Sequence, residues 1–192
     1  MRHRILHAAT RLFAAQGFSG TSVQAISDAV GIQKPSLLYH FSSKGALRDA
    51  AVDAVLDRWG DVVPKVLRAA TNGENRFEAT LGEVMQFFAA DRDRARLLMR
   101  EILDRPDHMR TRMQATFSPW IGLVTSTIRR GQQEGVIWPD LDPDAWVTNI
   151  VALVVTTFAT NAVSGALFVE DSLERRQREL LRIAHASLFI GS

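Results

Sequence analysis

Residues 31–47 read GIQKPSLLYHFSSKGAL, and the short segment inside them decides how the rest of the chain is read. Proline fixes φ near its helical value and has no N–H, so Pro35 is best tolerated in the first turn of a helix, where donors lack intrahelical partners. The spacing predicts a helix that starts near Pro35. Ser42 and Ser43 break the apolar run after Phe41 and offer an N-cap to a following helix, so the proline-started helix is very short. A helix under three turns is not stable alone; its neighbours must hold it, and it is kept for the face it presents.

Working outward, Ile5, Leu6, Ala9, Leu12 and Phe13 draw one apolar stripe down a first helix that Gly17 ends. Thr21 and Ser22 stand as N-cap candidates before Val23, Ile26 and Val30, a second short helix that closes at Gly31. On the other side, Ser43 caps a longer helix through Leu47, Ala51, Val55 and Trp59 to about Pro64. Further periodic segments predict helices near 75–90, 92–104, 107–134, 143–166 and 172–190. They are separated by Asn72-Gly73, by Pro106, by the loop at 135–144 and by Glu170-Asp171. Pro119 should kink or split the longest, because it removes a backbone donor and crowds the carbonyl four residues earlier. Nothing alternates with period two for long enough to make a convincing strand. The fold class is all-α.

A chain of 192 residues with 46% hydrophobic content has ample material for a packed core. It contains no cysteine, which excludes disulfides, thiolate metal sites and a cysteine nucleophile, and suits a reducing cytoplasm. The N-terminal MRHRILHAATRLF has neither an uninterrupted apolar core nor a small-residue cleavage site, so no signal peptide is read and a cytoplasmic protein is expected. The net charge of +2 is unevenly spread: residues 1–50 hold six Lys and Arg against two Asp, a net of +4, and the remainder sums to −2. A basic first quarter on a mildly acidic body suits an encounter of the N-terminal part with a polyanion.

Two short helices joined by a tight glycine-containing turn make a helix-turn-helix, whose second helix enters the major groove with its N-terminal residues toward base edges. Gln33, Lys34, Pro35 and Ser36 occupy that end. Gln33 can pair bidentately with adenine, Lys34 can reach guanine acceptors or a phosphate, Pro35 offers an apolar surface to a thymine methyl, and Ser36 can bond base or backbone. The run from Leu12 to Leu47 resembles the DNA-binding domain of the TetR family of bacterial transcriptional regulators. Leu12-Phe13, Gly17, Thr21-Ser22, Ile26, Gly31, Leu37, Tyr39-His40-Phe41 and Lys44 carry the likeness, which is strong over residues 5–47. The resemblance implies that Tyr39, His40 and Lys44 grip phosphates and that Thr21 and Ser22 place a helix N-terminus against the same strand. Leu38 departs from the aromatic frequent at its position, so any contact there becomes apolar. Gly45 departs from the acidic residue frequent after the lysine. Leu37 and Phe41 belong to the domain core.

The resemblance further implies a DNA-binding domain over residues 1–47 and a helical ligand-binding and dimerisation domain over 48–192. Its expected partners are double-stranded operator DNA, a small-molecule effector and a second copy of the chain. In the family the middle helices enclose an effector pocket. Met85, Phe88, Met99, Ile102, Met113, Phe117 and Trp120 are candidate walls that suit an apolar or aromatic molecule. Asn149, Asn161 and His108 are candidate polar anchors. The last two long helices pair with their symmetry mates in the family, which makes Val155, Phe158, Leu180, Ile183, Ala184 and Leu188 interface candidates.

Other signals carry less. His3 and His7 stand at i, i+4 without a third ligand. Asp140, Asp142 and Asp144 imitate the start of a calcium loop, but Ala145 stands where glycine is needed and Val151 where a glutamate belongs; Asp142 reads better as a helix cap. Neither metal nor cofactor is expected. No catalytic motif occurs, so the chain is not read as an enzyme. The uncharged run 145–169 is long enough to span a bilayer, yet seven polar side chains dilute it and an amphipathic helix follows, so burial is favoured. The reading is a homodimeric repressor released by a small apolar or aromatic effector. The alternative is a ligand-binding or scaffold protein of the same fold without operator recognition.

Overall fold

The computed structural model describes residues 1–69, 73–164, 166 and 172–191, with the backbone alone over 63–69 and 73–76. Ten helices follow in order among the described residues: α1 (Arg2–Gly20), α2 (Val23–Val30), α3 (Lys34–His40), α4 (Lys44–Ala69), α5 (Gly73–Ala89), α6 (Arg92–Asp104), α7 (Pro106–Gln133), α8 (Pro143–Ala159), α9 (Asn161–Ser164) and α10 (Leu173–Leu188). Extended pairing among these residues is limited to one antiparallel bridge between Ile137 and Phe189, which pins the loop after α7 to the end of α10.

Local chemistry sets the boundaries. Gly17 takes φ 74° and ψ 175°, a conformation essentially reserved for glycine, and breaks α1 before a last turn to Gly20. Ser22 caps α2 by accepting the Ala25 N–H at 2.9 Å, and Gly31 closes it in the left-handed region at φ 75°. Ser43 caps α4 by accepting the Ala46 N–H at 3.0 Å. That cap offsets the weak helix propensity of Gly45. Asp142 caps α8, its Oδ1 accepting from both Asp144 and Ala145 at 3.0 Å.

Three sequence-based boundaries shift. Helix α4 continues past Pro64 to Ala69 and packs on α1 as well as on α5 and α7. Helix α7 runs unbroken across Pro119. Pro119 and Ala115, whose carbonyl loses its helical donor, are both exposed, so water can replace the missing bond. The helix expected over 143–166 ends instead at Ala159. Thr160 leaves helical geometry at φ −96° and ψ 4°, its hydroxyl bonds back to the Thr156 carbonyl at 2.8 Å, and the Asn161 side chain accepts from Arg176 of α10. Side-chain competition of this kind interrupts helices. The separators Asn72 and Glu170-Asp171, and the end of the uncharged run at 167–169, lie outside the described residues. No helix among those described is long and apolar enough to cross a membrane.

One continuous core runs from Ile5 in α1 through Leu37, Leu47, Leu56, Phe88 and Leu98 to Ala184 in α10. The N-terminal helices are therefore cemented to the larger bundle. Arg100 of α6 strengthens the join by donating to the Ala14 carbonyl at 2.9 Å and the Ala15 carbonyl at 3.3 Å, in the turn of α1 just before Gly17.

Candidate nucleic-acid interface and cavity

Helix α3 is anchored by Leu37, fully buried, and by Phe41 just after it. Everything around that anchor faces out. Gln33, Lys34, Pro35 and Ser36 are all exposed. Pro35 occupies the first turn as its chemistry requires, and Gln33 sits at the N-cap with extended φ and ψ and no side-chain cap bond. Tyr39 is 88% exposed and Leu38 37%. Half-buried His40 packs edge-on against the Tyr39 ring at 5.5 Å.

The remaining candidates divide. Ser22 is exposed at the start of α2. Thr21 turns the other way: it is 1% exposed, and its hydroxyl donates to the carbonyls of Leu12 at 3.1 Å and Gly17 at 2.8 Å. Its amide is also engaged, by the Phe18 carbonyl. Thr21 thus locks the turn after α1, and the phosphate contact anticipated for it is corrected to a structural role. Lys44 is half-buried with its ammonium 4.2 Å from the centre of the Phe18 ring, which the Arg48 guanidinium also approaches, at 4.7 Å. The ring holds the lysine at a fixed place.

The basic patch is smaller than the sequence count. Arg4 donates to the Val30 carbonyl at 2.8 Å and closes the end of α2. Arg48 is buried against Glu101. Arg2, Arg4, Arg11 and Lys34 stay exposed. His3 and His7 are exposed on α1 at the lip of a shallow depression, and no group of three metal-ligating side chains occurs among the described residues.

A second feature lies in the middle of the bundle, a cavity of about 360 Å³ between α4, α5, α7 and α8. Helix α7 gives Met113, Phe117 and Trp120 to its wall, as the sequence suggested, and α4 adds Trp59. Phe77 and Leu81 come from α5, and Trp146, Ile150 and Val154 from α8. Trp59 and Phe117 meet edge-on at 4.8 Å, and Phe77 tilts against Trp146 at 5.8 Å.

Five pocket candidates are corrected. Met85 and Phe88 are buried behind the wall, Phe88 completely, with its ring 5.1 Å from that of Trp59. Met99 and Ile102 pack on the core from α6, which does not reach the cavity. Asn149 is exposed on the opposite side of α8. The other two proposed anchors are engaged elsewhere: Asn161 with Arg176, and His108 with Arg105 and Arg112 at 3.2 Å or less. The walls that sequence reasoning missed come from α4, α5 and α8 as well as from the rest of α7, and for α8 a signal was present. That signal was its apolarity on nearly all sides, since one side lines the cavity and another, Ala145, Thr148, Asn149, Ala152, Leu153 and Thr156, is exposed and uncharged.

The interface candidates are corrected in the same way. Val155, Phe158, Leu180, Ala184 and Leu188 are all 5% exposed or less and pack within the subunit. Only Ile183, 43% exposed, faces outward. Amphipathicity identified the buried stripe of α10, and that stripe is the chain's own core.

Between the two features lies a polar seam. Glu101 of α6 pairs with Arg48; Arg105 pairs with Asp49 at 2.8 Å, and Arg112 of α7 with Asp53 at 2.6 Å. Burial would raise the Asp49 pKa, but the hydrogen bond from Arg105 and the charges of Arg105, Arg112 and His108 outweigh it and hold the carboxyl below its ordinary range. Asp93 shifts the other way: burial, then the nearby Asp91 carboxylate, raise it against the opposing charges of Arg96, Arg11 and His7.

The comparisons agree with this geometry at both ends of the chain. Residues 5–51 match the family model for bacterial regulatory proteins of the tetR family, and residues 74–186 match that for the tetracyclin repressor-like C-terminal domain. The chain is 31% identical over 97 residues to the HTH-type transcriptional activator FasR of Mycolicibacterium smegmatis, covering 50% of this chain and 44% of that protein. It is 44% identical over 55 residues to the HTH-type transcriptional regulator RutR of Escherichia coli, covering 29% and 26%. The alignments thus span less than half the length of these curated relatives. Among solved structures, a Saccharomonospora viridis protein described as a transcriptional regulator, in complex with choline, superposes with a TM-score of 0.78 at 21% identity, over 98% of this chain and 97% of that one. Both domain models fall where the outward α3 and the cavity-bearing bundle are found, and the chain belongs to the TetR family of DNA-binding transcriptional regulators.

Proposed function

We propose that the protein is a cytoplasmic, homodimeric repressor that reads a pseudo-palindromic operator through Gln33, Lys34, Pro35 and Ser36, and releases it when a small apolar or aromatic molecule occupies the bundle cavity. The observation that carries this reading is the outward face of α3: four exposed residues suited to base edges stand at its start, on a segment anchored by a fully buried leucine. Ser22, Tyr39, His40 and the ring-held Lys44 flank it as phosphate contacts, and exposed Leu38 adds an apolar one.

The uncharged outer side of α8 and exposed Ile183 of α10 supply the surface for the second copy. Two-fold pairing there would set two copies of α3 on one face of a duplex. Effector and operator then oppose each other only through unequal affinity for two arrangements of the dimer.

The test is selection of duplexes from a random pool, followed by titration of the selected duplex at 50 and 200 mM salt. A regulator that neutralises several phosphates loses on the order of 10³-fold or more in affinity across that range. A scaffold without operator recognition selects nothing and binds no duplex at either salt.

A further inference from the structure

The geometry points to an uncharged ligand with a body of two or three rings and one neutral hydrogen-bonding end, held with that end at Gln114 and Ser118. This deepens the reading above that the cavity holds the signal, and rests on it. None of the described lining residues is charged. An anion brought into such a wall loses its hydration without gaining a counter-charge, and a cation gains only the faces of the aromatic rings, which offset part of the hydration it gives up.

Helix α7 shows where the polar end belongs. Met113, Phe117, Trp120 and Val124 form one stripe at i, i+4, i+7 and i+11, and the adjacent stripe of Gln114, Ser118 and Ile121 lines the same space. The first stripe is half-buried or buried, whereas all three members of the second are exposed. The amide and hydroxyl one turn apart therefore stand on the solvent side of an apolar chamber. The volume of about 360 Å³ exceeds twice the roughly 150 Å³ of an apolar cavity that admits benzene. Fused or linked rings fit; a single ring underfills the space.

Three of the four tryptophans, Trp59, Trp120 and Trp146, line the cavity, while Trp138 does not, so the emission of a Trp138→Phe variant reports on the cavity itself. The probes are 2-acetylnaphthalene, naphthalene-2-sulfonate, (2-naphthylmethyl)trimethylammonium and choline, titrated into the dimer without DNA. The neutral ketone is expected to bind saturably, at least 30-fold more tightly than any of the charged probes. A sulfonate or ammonium probe that binds as tightly as the ketone overturns the inference, as does the absence of saturable binding by all of them. Gln114→Leu with Ser118→Ala, read against naphthalene, should abolish the preference for the ketone by removing its partners; a preserved preference overturns the placement of the polar end. A ketone that binds as described but leaves duplex affinity unchanged contradicts effector release and leaves the ligand class standing.

Discussion

Arg48 of α4 and Glu101 of α6 meet at 2.5 Å, Nε to Oε1, with side chains 10% and 3% exposed. The arginine also lies against the Phe18 ring, which Lys44 contacts too, so one side chain touches both α1 and α6. Without Glu101, buried Arg48 keeps only its longer contact with Asp104 at 3.4 Å. Glu101→Gln should cost about 3–5 kcal/mol in urea denaturation, whereas Arg48→Met with Glu101→Leu should lie closer to the wild type than Glu101→Gln alone. Equal losses for the single and double variants would show that the two residues do not act as a pair.

Gly17 and Gly31 both have positive φ, but their surroundings differ. A Cβ on Gly31 meets nothing within 4 Å, and one on Gly17 meets the Arg100 guanidinium at 3.2 Å. Gly31 also lies in the left-handed helical region, while Gly17, at ψ 175°, does not. Gly31→Ala should therefore cost about 1 kcal/mol of stability, and Gly17→Ala about 2–3 kcal/mol, the excess reflecting the rarer backbone conformation and displacement of Arg100 from the end of α1. Thermal unfolding of the two variants side by side checks the order.

The two shifted carboxyls predict opposite pH responses. Asp49 has a folded pKa below its unfolded value near 3.8, so its contribution is present above about pH 4 and is lost as pH falls through the folded value. Asp93 is raised, so its contribution is present below about pH 4 and is lost as pH rises through the folded value. Asp49→Asn should flatten the acid limb of the stability profile below pH 4. Asp93→Asn should relieve a cost present at pH 7. Urea midpoints measured from pH 3 to 7 would show both, and parallel profiles for all three proteins would contradict the assignment.

Lys44 and Gln33 should separate positioning from reading. Lys44→Ala should weaken binding to every duplex alike and lower the salt slope by about 1, whereas Gln33→Ala should alter the preference among operators. Uniform loss across a panel of operator variants for both substitutions would refute the division of roles.

The sequence made the helix-turn-helix legible because its signals are local. Pro35, Gly31, Ser22 and Ser43 each fix a backbone geometry without reference to distant residues, and those four boundaries lie where that chemistry puts them, whereas Gly17, expected to end α1, only breaks it before a last turn to Gly20. The cavity was legible only along α7, where Met113, Phe117 and Trp120 share a stripe. Trp59, Phe77 and Trp146 join them through helix packing that no single-helix periodicity encodes. The same limit explains Thr21, whose inward hydroxyl partners lie up to nine residues away, and the buried stripe of α10, which looks the same in one dimension whether its own chain or a second copy covers it.

The chain has no cysteine, so Ser36→Cys would introduce one reactive thiol, at the exposed start of α3. An iron chelate tethered there, with the protein bound to a selected duplex, should cut in two clusters centred about 10 base pairs, or a multiple of that, apart, one for each copy of the helix. Diffuse cutting along the duplex, or none while the protein is bound, would contradict an account in which this helix lies in the major groove.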